Sequence, residues 1–88
     1  MSEETGKKIM FFTASWCEGC KTLTPHLEKI KDQITVEIVD VEERGDEAAS
    51  YGVQSLPTLF FIRGDQLVSH RTGSSEATIK EVYRFVES

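Results

Sequence analysis

The feature that most limits what this chain can fold into is its first apolar run, Ile9 to Thr13. The run reads Ile-Met-Phe-Phe-Thr and breaks off at Ala14-Ser15-Trp16, where a helical pattern begins at Cys17. A short, unalternating stretch of this kind suits a buried central strand. Leu23, Leu27, Ile30 and Ile34 then recur at spacings of four, three and four, with Lys21, Glu28, Lys29 and Lys31 between them. That is an amphipathic helix with one face on a sheet. Pro25 falls inside it and is expected to kink it, because proline lacks the N–H and clashes with the preceding turn.

The remaining segments follow by the same reasoning. Thr35 to Val41 is β-branched and apolar, a second strand. Glu42 to Tyr51 reads as a short polar helix that Gly52 ends. Thr58 to Ile62 is an apolar strand, Gly64-Asp65 supplies turn chemistry, and Leu67 to Thr72 returns beside it as a hairpin partner. Ser75 stands where it can cap a last helix whose apolar face is Ile79, Val82, Tyr83 and Val86. The order β-α-β-α-β-β-α implies an α/β fold in which a parallel pair and a terminal hairpin share one four-stranded mixed sheet, with helices on both faces.

The 88 residues are too few for two independent cores, so one domain over 1–88 is expected, with 1–8 as a poorly ordered N-terminal segment. A core this small leaves the fold only marginally stable. The hydrophobic fraction of 39% and charged fraction of 28% fit a globular chain and argue against disorder. A formal net charge of −5 points away from nucleic acid, since little here would neutralise phosphates. No apolar stretch follows a basic start, and no run approaches the roughly 20 residues of a membrane-spanning helix. The expectation is a cytoplasmic monomer without a membrane partner.

Chemistry concentrates at Trp16-Cys17-Glu18-Gly19-Cys20, where strand gives way to helix. At a helix N-terminus unpaired N–H groups and the helix dipole favour negative charge. The Cys17 pKa is therefore expected to fall below the free-thiol value of about 8.5. Cys20, one turn on, is near enough to close a disulfide and is expected to be more covered. An exposed nucleophile with a nearby resolving thiol is what thiol–disulfide exchange requires. The competing reading is a metal site. A zinc centre needs two further ligands; His26 and His70 are the only histidines, and neither has a second ligand at zinc spacing. No cofactor or metal is expected, although metal shared between two copies of the motif stays open.

At this point the chain resembles the thioredoxin family. Phe12-Thr13-Ala14-Ser15-Trp16-Cys17 is similar to the family's strand and tryptophan approach to its dithiol. Cys20-Lys21 and Pro25 match the lysine after the second cysteine and the helix proline. Val39-Asp40-Val41-Glu42 resembles the second core strand, and Tyr51 to Leu59 the stretch that ends in a cis proline. Gly64 and Gly73 fall near the two glycines of the hairpin region. The resemblance implies a thioredoxin-like three-layer fold and a protein-disulfide reductase. Its catalytic residues would be Cys17 and Cys20, and its substrate-binding residues Trp16, Leu56 (through its backbone) and Pro57. The implied partners are disulfide-containing proteins and an upstream thioredoxin-reductase-like enzyme or glutathione. A cis Leu56–Pro57 bond beside Cys17 is part of the same implication.

The chain departs from the family pattern in three places. Only eight residues precede the Ile9 strand, which implies a trimmed core. The family's buried aspartate and its lysine neighbour align with Phe11 and Ile38, both apolar. Replacing both members of a buried ion pair is tolerable where replacing one is not, and it leaves Cys20 to be deprotonated by water or by Glu18. The dipeptide between the cysteines is Glu18-Gly19 instead of Gly-Pro, so both residues are expected to tune the dithiol. The Glu18 carboxylate opposes a thiolate on Cys17, and Gly19 loosens the first helical turn. A glutathione-dependent, glutaredoxin-like enzyme and a non-catalytic binding module are the alternatives.

Overall fold

A computed structural model describes residues 6–88. The elements run β1 (Lys7–Thr13), α1 (Glu18–Ile30), β2 (Thr35–Asp40), α2 (Gly45–Ser50), β3 (Thr58–Arg63), β4 (Gln66–Thr72) and α3 (Glu76–Glu87). One sheet has the order β2-β1-β3-β4. β1 runs parallel to β2 and antiparallel to β3, and β3 runs antiparallel to β4. This is the α/β arrangement with one four-stranded mixed sheet that the pattern implied.

The unalternating run of β1 has a direct explanation. Ile9 and Phe11 enter a core with Leu23, Leu27 and Ile30 of α1 and Val82 and Phe85 of α3. Met10 and Phe12 enter a second core with Val39, Phe60 and Ala48 of α2. A strand with a helical layer on each side is apolar at every position. Ile9, Phe12, Leu23, Leu59, Phe61 and Val82 are fully buried, and truncating a buried phenylalanine costs about 3–5 kcal/mol.

Several boundaries differ from the sequence reading, each for a local reason. Residues 1–5 of the expected disordered segment lie outside the described residues, whereas Lys7 and Lys8 already belong to β1, paired with Arg63 and Ile62. Periodicity placed Ile34 on the first helix, but α1 ends at Ile30. The chain there tightens into a turn, with the Gln33 and Ile34 N–H groups both donating to the Ile30 carbonyl. Ile34 still reaches the core, 5% exposed. The expected helix from Glu42 is shorter, because Val41 to Arg44 form a turn on Asp40 before α2 starts.

At its other end α2 closes in a Schellman arrangement. Gly52 N–H donates to Ala49 O and Val53 N–H to Ala48 O, each at 3.0 Å, with Gly52 at φ +75°. Ser75 occupies the N-cap of α3, yet its hydroxyl makes no capping bond; its carbonyl accepts from Ile79 N–H at 3.2 Å. The Gly64-Asp65 loop joins β3 to β4, with Gly64 at φ +67°. A register shift at Phe61/Ile62 leaves Val68 outside the pairing.

Ile38 needs a correction. It pairs in register with Phe11, as the alignment to a charge pair suggests. Phe11 is 2% exposed, but Ile38 is 55% exposed because β2 is an edge strand of the sheet. Only one of the two positions is in the core.

Candidate active site

The carboxyl end of β1 leads into a tight turn in which Cys17 N–H donates to Ala14 O at 3.1 Å. The turn delivers Cys17 to the N-cap of α1, in extended backbone, and its sulfur accepts the Cys20 N–H at 3.2 Å. Cys17 and Cys20 form a disulfide, with Cα atoms 5.4 Å apart, inside the range such bonds require. Sulfur at this position meets the free N–H groups and positive end of a 13-residue helix. An anionic sulfur on Cys17 is stabilised there.

Burial does not separate the two cysteines as expected, since they are 5% and 3% exposed. In the oxidised pair both sit in the core cluster that Leu56 covers. Position distinguishes them instead: Cys17 precedes the helix, whereas Cys20 lies within it on the buried face shared with Leu23 and Leu27. Cys20 Sγ lies 4.0 Å from the Phe12 carbonyl oxygen.

Two loops converge on the motif. A β-carbon at Gly19 would stand 3.0 Å from Pro57 Cδ and 3.0 Å from Ser74 Oγ. Gly19 therefore lets the dithiol turn approach both loops, a close contact that a larger residue would resist. The Leu56–Pro57 peptide is cis. The Pro57 carbonyl accepts Gly73 N–H at 2.8 Å, and Thr58 Oγ1 donates to the Ser55 carbonyl at 2.7 Å. Ser74 was not identified from sequence, where it is one of two adjacent serines after Gly73 with no distinguishing pattern.

On the α2 side of the turn that carries Trp16 lies an open groove of about 300 Å³, lined by Trp16, Val41, Ala48, Val53 and Leu56. Trp16 is 65% exposed and forms one wall. Trp16, Cys17, Gly19, Cys20, Leu56 and Pro57 thus come together at one end of the sheet. Val41, Ala48 and Val53 join them as groove residues; the sequence reading placed Val41 in a strand, Ala48 in a short helix and Val53 in the stretch before Pro57, and none of them at a site.

Glu18 belongs to the rim. Its carboxylate faces solvent and pairs with Lys21 Nζ at 3.4 Å, with the Glu18 side chain 86% exposed. The histidines are engaged elsewhere. His26 Nδ1 lies 2.8 Å from Tyr83 OH, joining α1 to α3, and His70 meets the Phe60 ring edge-on. Among the described residues, no three His, Cys, Asp or Glu side chains cluster to hold a metal ion. No helix among them is long and apolar enough to cross a membrane.

Comparison with known proteins places this geometry. The family model described as Thioredoxin matches residues 1–85. Thioredoxin-2 of Saccharomyces cerevisiae is 36% identical over 76 residues, covering 83% of this chain and 73% of that protein. A thioredoxin of Echinococcus granulosus is 35% identical over 82 residues, covering 88% and 77%. Among solved structures, a poplar thioredoxin h superposes with a TM-score of 0.82 at 27% identity, over 99% of this chain and 82% of that one. Oxidised mitochondrial thioredoxin 3 of Saccharomyces cerevisiae gives 0.80 at 25% identity, over 98% and 81%.

Proposed function

This chain belongs to the thioredoxin family and carries that family's dithiol, and from that premise we propose that it reduces disulfide bonds in proteins. A paired Cys17 and Cys20 in a thioredoxin-family chain supports thiol–disulfide oxidoreductase activity. The observation that supports the finer reading is the placement of the Cys17 sulfur at the start of α1, accepting the Cys20 amide, next in sequence to Trp16, which walls an open groove.

The reaction runs in two displacements. The Cys17 thiolate attacks one sulfur of the substrate disulfide, forming a mixed disulfide and expelling the other substrate sulfur as a thiolate that takes up a proton. The Cys20 thiolate then attacks Cys17 Sγ, releasing the second substrate thiol and closing Cys17–Cys20. Two electrons pass from dithiol to substrate, and the closed pair is the form in the structure. An upstream thioredoxin-reductase-like enzyme or glutathione returns the electrons.

Trp16 and Leu56 flank the groove where an extended substrate chain would lie. The Leu56 backbone binds it by strand-like addition, and Pro57 shapes the binding surface. With Phe11 in the core and Glu18 turned to solvent beside Lys21, water takes the Cys20 proton. The working setting is a cytoplasmic monomer with no bound cofactor. The glutaredoxin-like alternative draws no specific support from the relatives named above, which are thioredoxins.

The test is a titration of the Cys17–Cys20 couple in glutathione redox buffers, together with turnover of a protein disulfide. A potential near −270 mV is expected of a reductase, whereas about −120 mV marks an oxidant and sinks the reading. Cys17→Ser abolishes turnover, and Cys20→Ser accumulates mixed disulfides. Full activity in both variants refutes the mechanism.

A further inference from the structure

Trp16 presents a problem of placement. It forms a wall of the groove, yet at 65% exposure it is not held by burial. Its position follows from the backbone turn that carries it, with Ser15 and Trp16 at the two middle positions between Ala14 and Cys17. That turn is tied to a distant segment. Ser15 N–H and Ser15 Oγ both donate to Glu42 Oε1, at 3.3 and 3.0 Å.

The carboxylate that receives them stands on a firm base. Glu42 N–H donates to Asp40 Oδ1 at 2.8 Å, and Val41 N–H donates to Thr13 O at 2.9 Å, so the end of β2 is stitched to the end of β1. Val41 lines the same groove as Trp16. One oxygen, 27 residues away in sequence, thereby ties the turn that carries Trp16 to the segment that carries Val41.

We infer that Glu42 is a positioning residue of the dithiol loop, fixing through Ser15 the Trp16 wall against which the substrate chain docks. The inference rests on the disulfide-reductase reading. It goes further by separating docking from chemistry. Cys17 is held independently, by its N-cap bond and its place in the core cluster, so loosening Trp16 weakens docking and leaves thiol exchange in place. What matters is an acceptor oxygen at this spot, which an amide also supplies. The bonds are charge-assisted but exposed to water, so the expected effects are moderate.

The experiment compares Glu42→Ala, Glu42→Gln and Ser15→Ala. Each is assayed on insulin, a protein disulfide, and on a small aromatic disulfide that does not fill the groove. Trp16 is the only tryptophan, so its fluorescence anisotropy reports the loop directly. Glu42→Ala is expected to raise KM for insulin roughly fivefold with kcat within twofold, to lower Trp16 anisotropy, and to leave the small disulfide within twofold of wild type. Glu42→Gln recovers both readouts, and Ser15→Ala, which keeps the backbone bond, falls between. A Glu42→Gln as impaired as Glu42→Ala overturns the inference, as does an equal loss on the small disulfide or an unchanged Trp16 anisotropy. Should the wild type reduce neither disulfide, the reductase reading fails on its own, and the Trp16 anisotropy of the variants still decides whether Glu42 positions the loop.

Discussion

Phe11→Asp places a carboxyl where the thioredoxin family keeps its buried aspartate, and the structure says what that costs here. Phe11 is 2% exposed in a cluster with Ile9, Leu23, Leu27 and Leu59. Losing the aromatic side chain alone costs about 3–5 kcal/mol. The carboxyl that replaces it finds no cation on the paired residue, because the register partner is Ile38. Desolvation raises its folded-state pKa above the unfolded value of about 3.9.

The sign follows directly. Above that value the unfolded chain has released a proton that the folded chain retains, so stability falls as pH rises until the folded pKa is passed. For 88 residues the total stability is roughly 4–13 kcal/mol, so Phe11→Asp leaves the domain marginal at pH 5 and less stable still at pH 8. Adding Ile38→Lys recovers roughly 1 kcal/mol. The half-exposed site lets the ammonium reach both water and the carboxylate, and most of the loss is packing. Urea denaturation of the three proteins at both pH values measures this. A loss below about 1 kcal/mol for Phe11→Asp, with no pH dependence, refutes the claim that this part of the sheet is dry. Full rescue by Ile38→Lys refutes the claim that packing dominates.

Other outcomes follow from individual contacts. The Glu37 carboxylate is held below its ordinary pKa, first by the hydrogen bond from Lys8 and then by that from Arg44. Its contribution is therefore complete above the unfolded carboxylate range near 4.5 and is lost as pH falls through the folded value. Glu37→Gln should flatten the acid limb of a denaturation-versus-pH curve and cost about 0.5–1 kcal/mol at pH 7. Lys7 Nζ donates to the Val86 carbonyl at 2.9 Å in the last turn of α3, where a cation meets the negative helix end. Lys7→Met should lower Tm by roughly 3–6 °C in calorimetry. Glu18→Gln should move the dithiol potential by only about 10 mV toward the oxidising side, because Lys21 and water already screen the exposed carboxylate. A shift of 50 mV in redox-buffer titration would show that the charge acts on Cys17 directly.

How much was legible before the structure depends on how far apart the interacting groups lie. The β1 run, the Leu23/Leu27/Ile30 face and the Gly52 helix stop were readable, because each expresses a repeat or a dihedral preference within a few residues. The dithiol turn was readable for the same reason: strand end, cysteine and helix start adjoin in sequence. Helix ends were less so. Ile34 keeps the spacing of a helical face and stays buried, but it reaches the core from a turn, and periodicity alone does not distinguish the two.

Sequence by itself determined that this chain builds a mixed sheet under helices, with Cys17 and Cys20 at the start of the first helix. Those are consequences of local pattern and backbone preference. Tertiary structure alone decided that Ile38 lies on an open edge, that Gly19 meets Pro57 and Ser74, and that Ser15 hangs on Glu42. The physical reason is common to all three. Each depends on strand order and on which loops the sheet brings to one end, and the residues involved are ordinary until the fold sets them side by side.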